Sequence, residues 1–115
     1  MTTNSIEYTQ IFENQFQDRF SYLTRYVGQE TARHRLETFL DEFESRVLDY
    51  PESTPLCEEA ADLGSTRYHD YVNASLQLRA IYRIDEAGQR ILALLFLDTR
   101  QSLRQALVQY CLRRD

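Results

Sequence analysis

The sequence predicts an α+β fold in which a helical hairpin packs on a small, mostly antiparallel sheet, in the order β-α-α-β-β-β-α. Three observations carry that prediction. Between Phe12 and Val47, apolar residues recur every three or four positions, the spacing of a helix face. From Thr66 onward the spacing drops to two, the period of a strand. One segment, "RILALLFLDT", is almost wholly apolar, as a central strand buried on both faces must be.

Residues 6–12, "IEYTQIF", alternate as a short strand, with Ile6, Tyr8 and Gln10 on one face and Glu7, Thr9 and Ile11 on the other. The period then changes. Phe12, Phe16, Phe20, Leu23 and Val27 line one face of a helix from Glu13 to Val27, and Gly28 is placed to end it as a left-handed cap. A second helix follows from about Gln29 to Tyr50. Ala32, Leu36, Phe39, Leu40, Phe43 and Val47 form its apolar face, and Glu30, Arg33, Glu37, Asp41 and Glu44 its solvated one. Pro51 stops it. Two antiparallel helices on a short turn share an apolar face that needs a sheet to cover it. The helices are expected on one sheet face only, with the other left open.

"PESTPLCEEAADLG" reads as a loop with one helical turn at Cys57–Leu63. "TRYHDYVN" is a strand with Arg67, His69, Tyr71 and Asn73 on one face and Tyr68 and Val72 on the other. "SLQLRAIYRID" sets Leu78, Ala80, Tyr82 and Ile84 against Arg79, Ile81 and Arg83. "DEAGQ" is a hairpin turn, with Gly88 available for a positive φ. "TRQSLRQALVQYCLRRD" closes the chain as a helix with a stripe of Leu103, Leu107, Tyr110 and Cys111, and with Arg113 and Arg114 favourably near its C-terminus.

A chain of 115 residues is expected to form a single domain over 1–115, with a modest core and no room for a large enclosed active site. The net charge of −5 hides an asymmetry. Residues 1–62 hold 13 acids against 5 arginines, a net of −8; residues 63–115 hold 5 acids against 8 arginines, a net of +3. There is no lysine, so every cationic side chain is a guanidinium, the group best suited to bidentate contact with phosphate or carboxylate. The second half is therefore where anion recognition is expected, although the acidic total argues against strong non-specific binding to nucleic acid. The isolated Cys57 and Cys111 lack metal-ligand spacing, so no zinc site or other metal is expected, and no cofactor. They are expected as free thiols, with Cys111 a small packed hydrophobe. No apolar run approaches the roughly 18 residues that span a bilayer. The start, "MTTNSIEYTQ", lacks the pattern of a signal peptide, so a cytoplasmic protein is the expectation.

The segment "LRAIYRIDEAGQRILALLFLDTR" combines a strand carrying Arg79 and Arg83, a hairpin, and an apolar strand that ends at Arg100. With the "TRQSLRQALVQYCLRR" tail and the element order, it resembles the RelE/ParE family of bacterial type II toxins over nearly the whole chain, including chromosomal and plasmid-borne members. The resemblance implies a growth-inhibiting toxin held inactive by a cognate antitoxin. It also implies one of two targets: mRNA in the ribosomal A site, which some members cut, or DNA gyrase, which the ParE-like members block without cutting RNA. The strand and post-strand arginines of the cleaving members align with Arg79 and Arg100. Guanidinium groups there would stabilise charge that builds on a scissile phosphate. The lysines of those members align with Asp70 and Val72, and their terminal-helix tyrosine with Ala106. Arg67, His69 and Tyr71 are the available substitutes, with His69 as a general acid or base. Arg83 and Arg104 join Arg67 and Tyr71 as expected substrate or partner contacts.

The plainer alternative for Arg79 and Arg83 is a solvated sheet face, or ion pairs with acids of the second helix. For Arg100 it is a salt bridge to Asp98 or Asp115. Three functions remain open on the sequence. A non-cleaving inhibitor of an enzyme such as gyrase is slightly favoured, because the chain is acidic and lacks the lysines and tyrosine of the cleaving members. The others are a ribosome-dependent mRNA endonuclease using Arg79 and Arg100, and an inactive toxin-like interaction domain. Exposed apolar surface near the terminal helix or the helical hairpin, including Tyr22, Tyr26 and Tyr50, is the expected docking place for the antitoxin.

Overall fold

The computed structural model describes residues 5–85 and 90–111. Strand β1 (Ser5–Tyr8) leads into helices α1 (Gln10–Val27) and α2 (Gln29–Asp49). A short helix α3 (Glu58–Asp62) precedes strands β2 (Tyr68–Asn73), β3 (Leu78–Ile84) and β4 (Arg90–Asp98). Helix α4 (Leu103–Ala106) continues into one π-helical turn, Leu107–Cys111. The four strands form one sheet in the order β1-β4-β3-β2. β1 runs parallel to β4, and the other two pairings are antiparallel. This is the expected α+β architecture.

The first boundary differs from the expectation of a strand through Phe12. The strand stops at Tyr8 because Thr9 caps the helix: its Oγ1 accepts from Phe12 N at 3.1 Å and donates to Leu94 O at 3.2 Å. Gly28 serves two helices at once. Its N–H donates to Thr24 O at the end of α1, and its carbonyl accepts from Ala32 N at the start of α2. It does so at φ 87°, ψ 161°, a positive-φ region nearly restricted to glycine, rather than in the expected left-handed helical cap. A Cβ there would meet nothing within 4 Å, so its cost is backbone strain alone. Gly28→Ala is expected to lower unfolding free energy by about 1–3 kcal/mol, measured by urea denaturation.

The larger core lies between the sheet and the α1–α2 hairpin. Phe12, Leu36, Phe39, Phe43 and Val47 from the helices meet Leu78, Ala80, Tyr82, Ile91, Ala93 and Phe96 from the strands. The opposite face is not open, as had been expected. Ile81, Leu95 and Leu97 are covered there by Cys57, Ala60, Leu103, Ala106 and Leu107. Two short helices with few apolar residues each thus close the second face. A bulge where β3 pairs β4, between Ile81 and Tyr82, shifts the register so that the β4 partners jump from Leu95 to Ala93. That irregularity breaks alternation in β4, and apolar residues on both of its faces are satisfied. The hairpin turn with Gly88 and the terminal Arg113 and Arg114 lie outside the described residues.

Both free thiols pack in the second core, Cys57 at 1% exposure and Cys111 half-buried against the same cluster. Burial pushes both thiols up, Cys111 to about 11. At neutral pH they are protonated and act as small packing groups. No helix among the described residues is long and apolar enough to cross a membrane.

Candidate functional site

A cavity of about 800 Å³ opens at the outer edge of β2. Its walls are the loop Ser53–Leu56, the start of α3 and the start of α4, with Asp70 and Arg79 on its sheet side. Part of the β2 edge is already closed. Cys57 N donates to Tyr68 O at 2.7 Å and Asp70 N donates to Pro55 O at 3.0 Å, so the loop lies against the first half of the strand. The cavity begins where that pairing ends. Three arginines line it (Arg46, Arg79 and Arg104), as do three carboxylates (Glu58, Glu59 and Asp70).

Arg79 is the residue of this cavity that the sequence singles out. Its guanidinium is engaged in bidentate fashion by Asp70, with Nε to Oδ1 at 3.2 Å and Nη2 to Oδ2 at 2.7 Å. The two side chains are only 19% and 16% exposed. The partner is therefore a neighbouring strand carboxylate and not an acid of α2. In register terms Arg79 faces Val72, and Asp70 is its diagonal neighbour two residues away on the same face. Burial raises the Asp70 carboxyl above its ordinary value, and the Arg79 fork opposes that rise. The fork geometry that would hold a phosphate holds Asp70 instead.

Arg100 sits beyond the end of β4 in a second cluster. Its backbone N–H donates to Asp98 Oδ1 at 2.8 Å, and its side chain to both carboxylate oxygens at 3.1 and 3.2 Å. Arg19 of α1 approaches the same carboxylate at 3.9 Å and donates to Gln101 Oε1 at 3.2 Å. Asp98 is thus a partner of Arg100, as one of the two alternatives had it; Asp115 lies outside the described residues. Burial alone would raise the Asp98 carboxyl, but the Arg100 hydrogen bonds and the two guanidinium charges hold it below its ordinary value. A carboxyl with a lowered folded pKa stabilises the fold above its unfolded pKa, and that contribution is lost as pH falls through the folded value. Asp98→Asn is therefore expected to cost about 2 kcal/mol at pH 7. The gap from wild type should shrink on acidification, as read from urea unfolding across pH.

Of the remaining expected site residues, Tyr71 and Arg104 share the cavity with Arg79 and the others do not. His69 and Tyr71 project to the α1–α2 face, opposite Arg79. The His69 ring stacks on Tyr82 with centroids 5.1 Å apart, and its Nδ1 lies 3.0 Å from Thr54 O. Tyr82 in turn donates to Pro51 O at 2.5 Å and bonds Thr54 Oγ1. His69 and Tyr82 thus fix the loop that walls the cavity. Tyr82→Phe would leave Pro51 O and the Thr54 hydroxyl without that partner. It is expected to cost about 1–2 kcal/mol and to speed backbone amide exchange in residues 51–57. Tyr71 packs edge-on against Phe39 and Phe43, yet also lines the cavity from around the strand edge. Arg83 shares the face of Arg79 but lies near Tyr68 and Cys111. Arg67 is exposed before β2, and Arg104 is exposed on α4 at the cavity rim. The structure therefore brings together Arg79, Tyr71 and Arg104, and separates them from His69, Arg83 and the Arg100 cluster. Asp70 and Asp98, which hold the two central arginines, were not among the expected site residues.

No protein-family model matches this chain, and no curated protein matches it in sequence. Among solved structures, it is similar to a chain of the chromosomal ParDE toxin–antitoxin system from P. aeruginosa, with a TM-score of 0.69 at 9% sequence identity. The likeness covers 86% of this chain and 98% of the other. At that identity it establishes a shared fold, the one implied by the resemblance to RelE/ParE toxins.

Proposed function

We propose that the chain is the cytoplasmic toxin of a toxin–antitoxin pair, acting by binding an essential enzyme such as DNA gyrase rather than by cutting RNA, and neutralised by a cognate antitoxin. The fold shared with a ParDE component supports the toxin class. The observation that carries the non-cleaving mechanism is the Arg79–Asp70 fork, 2.7 Å at its shorter contact. Phosphoryl-transfer catalysis needs donors free to meet charge as it develops. Here the strand guanidinium is already neutralised by a carboxylate, at the position where the cleaving relatives carry a lysine. That carboxylate would also repel a scissile phosphate. The only histidine on β2, His69, faces the other side of the sheet against Tyr82 and the loop carbonyl of Thr54.

Induction in cells with and without the product of the adjoining reading frame tests the class. Growth arrest that the neighbour relieves is the expected result, and unimpeded growth without the neighbour would refute it. Purified protein titrated into a gyrase supercoiling reaction tests the target, with inhibition expected.

A further inference from the structure

The sequence holds two cysteines, far apart along the chain, and the fold brings both to one place. Cys57 sits in the second core, and Cys111 packs against the same cluster from the terminal turn. Tyr68 joins the two segments. Its carbonyl accepts from Cys57 N at 2.7 Å, and its hydroxyl donates to Cys111 O at 3.5 Å. Cys57 is also near enough to act on the Cys111 thiol through its charge, more strongly than Arg83 does. Packing would be met by any small apolar side chain at either position and does not need a thiol at both. In the cytoplasm, the disulfides that do form are mostly transient and redox-sensing. The two thiols also stand behind two walls of the cavity. Glu58 and Glu59 follow Cys57 in one wall, and Ser102, Leu103 and Arg104 in another begin the helical segment that ends at Cys111. A bond between the thiols would fix one wall against the other.

We propose that Cys57 and Cys111 form a reversible disulfide, a redox latch that ties the start of α3 to the terminal turn when the chain meets a low-molecular-weight disulfide. The half-buried Cys111 is the thiol that the oxidant reaches first. Its thiolate attacks one sulfur of the oxidant, whose S–S bond breaks. The departing thiolate takes that bond's electron pair and then a proton from water. Cys57 gives its proton to water, attacks Cys111 Sγ in the mixed disulfide and expels the second small thiol. Two protein thiols are oxidised to one disulfide, and one small disulfide is reduced to two thiols. Burial sets the order, because Cys57 at 1% exposure meets its neighbour and not the oxidant. It also sets the pace. The Cys111 thiol is pushed up to about 11, so little thiolate is present at neutral pH and the latch closes slowly. Once closed, it shortens the free chain of the unfolded state across β2, β3 and β4, which stabilises the fold.

The test incubates the full chain with oxidised glutathione and reads intact mass, a peptide map and the melting temperature. The folded protein should lose two hydrogens in mass, with Cys57 and Cys111 recovered in one linked peptide pair. Its melting temperature should rise by about 5 °C or more, and dithiothreitol should reverse both changes. The rate should climb about tenfold per pH unit between pH 7 and 9, following the Cys111 thiolate. Cys57→Ala should stop at one glutathione on Cys111, and Cys111→Ala should take up none, with circular dichroism confirming that both are folded. A wild-type chain that stops at the Cys111 adduct, links to a second copy, or reacts only after unfolding in urea overturns the inference. So does a linked protein whose melting temperature is unchanged or lower. None of these outcomes bears on the toxin reading, which the growth assay decides.

Discussion

Asp70→Ala is expected to destabilise the protein by about 3 kcal/mol and to turn the cavity into an anion site. The cost follows from the geometry. Arg79 is 19% exposed, so removing the carboxylate strands a largely desolvated guanidinium. Replacing both partners removes that penalty, so Asp70→Ala/Arg79→Leu should be more stable than Asp70→Ala alone. A double-mutant cycle by urea unfolding measures the coupling. The second half of the prediction concerns charge. With Asp70 gone, Arg46, Arg79 and Arg104 face only Glu58 and Glu59 across the cavity. Inorganic phosphate should then raise the melting temperature of Asp70→Ala and leave wild type unchanged. Equal response of the two proteins would show that Asp70 does not occupy the Arg79 fork in solution.

Phe39→Ala should cost about 4 kcal/mol, the largest loss expected of a single truncation here. Phe39 is fully buried, with ring centroids 5.3–6.1 Å from those of Phe43, Tyr71 and Phe96. It therefore joins α2 to both an edge strand and a central strand. Tyr71 leans on it, so the loss should reach the cavity as well as the core. Urea unfolding gives the magnitude, and amide exchange in β2 shows whether the edge strand loosens. A cost below about 1 kcal/mol would mean that the aromatic cluster repacks freely.

The helical hairpin was legible because long, strongly periodic segments leave little choice: Phe12, Phe16, Phe20 and Leu23, then Leu36, Phe39, Phe43 and Val47, all reach the main core. The apolar β4 was legible as a central strand, and it does lie between β1 and β3. The start of α1 was misplaced because Thr9 satisfies strand alternation and helix capping equally well, and the hydrogen bond to Phe12 N decides between them. The cover on the second sheet face was missed because α3 is too short to show a period, and the stripe of Leu103, Leu107 and Cys111 at the chain end does not say which sheet face it meets. Their contributions, Ala60, Leu103 and Leu107, matter only once the chain is folded.

The site was legible in its arginines and not in what holds them. Arg79 and Arg100 stand out in sequence, but Asp70 becomes the partner of Arg79 only through the β2–β3 register. Strand alternation did contain a warning. Cross-strand faces cannot be read from parity within one strand, and His69, grouped with the arginines as a catalytic aid, lies across the sheet from Arg79. Asp98 was visible beside Arg100 in sequence, yet the reach of Arg19 from α1 to the same carboxylate needed the tertiary structure.

Primer extension on cellular mRNA after induction tests the central claim most directly, run with wild type and with Arg79→Ala/Arg100→Ala. Growth arrest with intact mRNA in both strains is the result expected of a toxin that binds rather than cuts. Cuts at fixed codon positions that appear with wild type and vanish with the double substitution would contradict it.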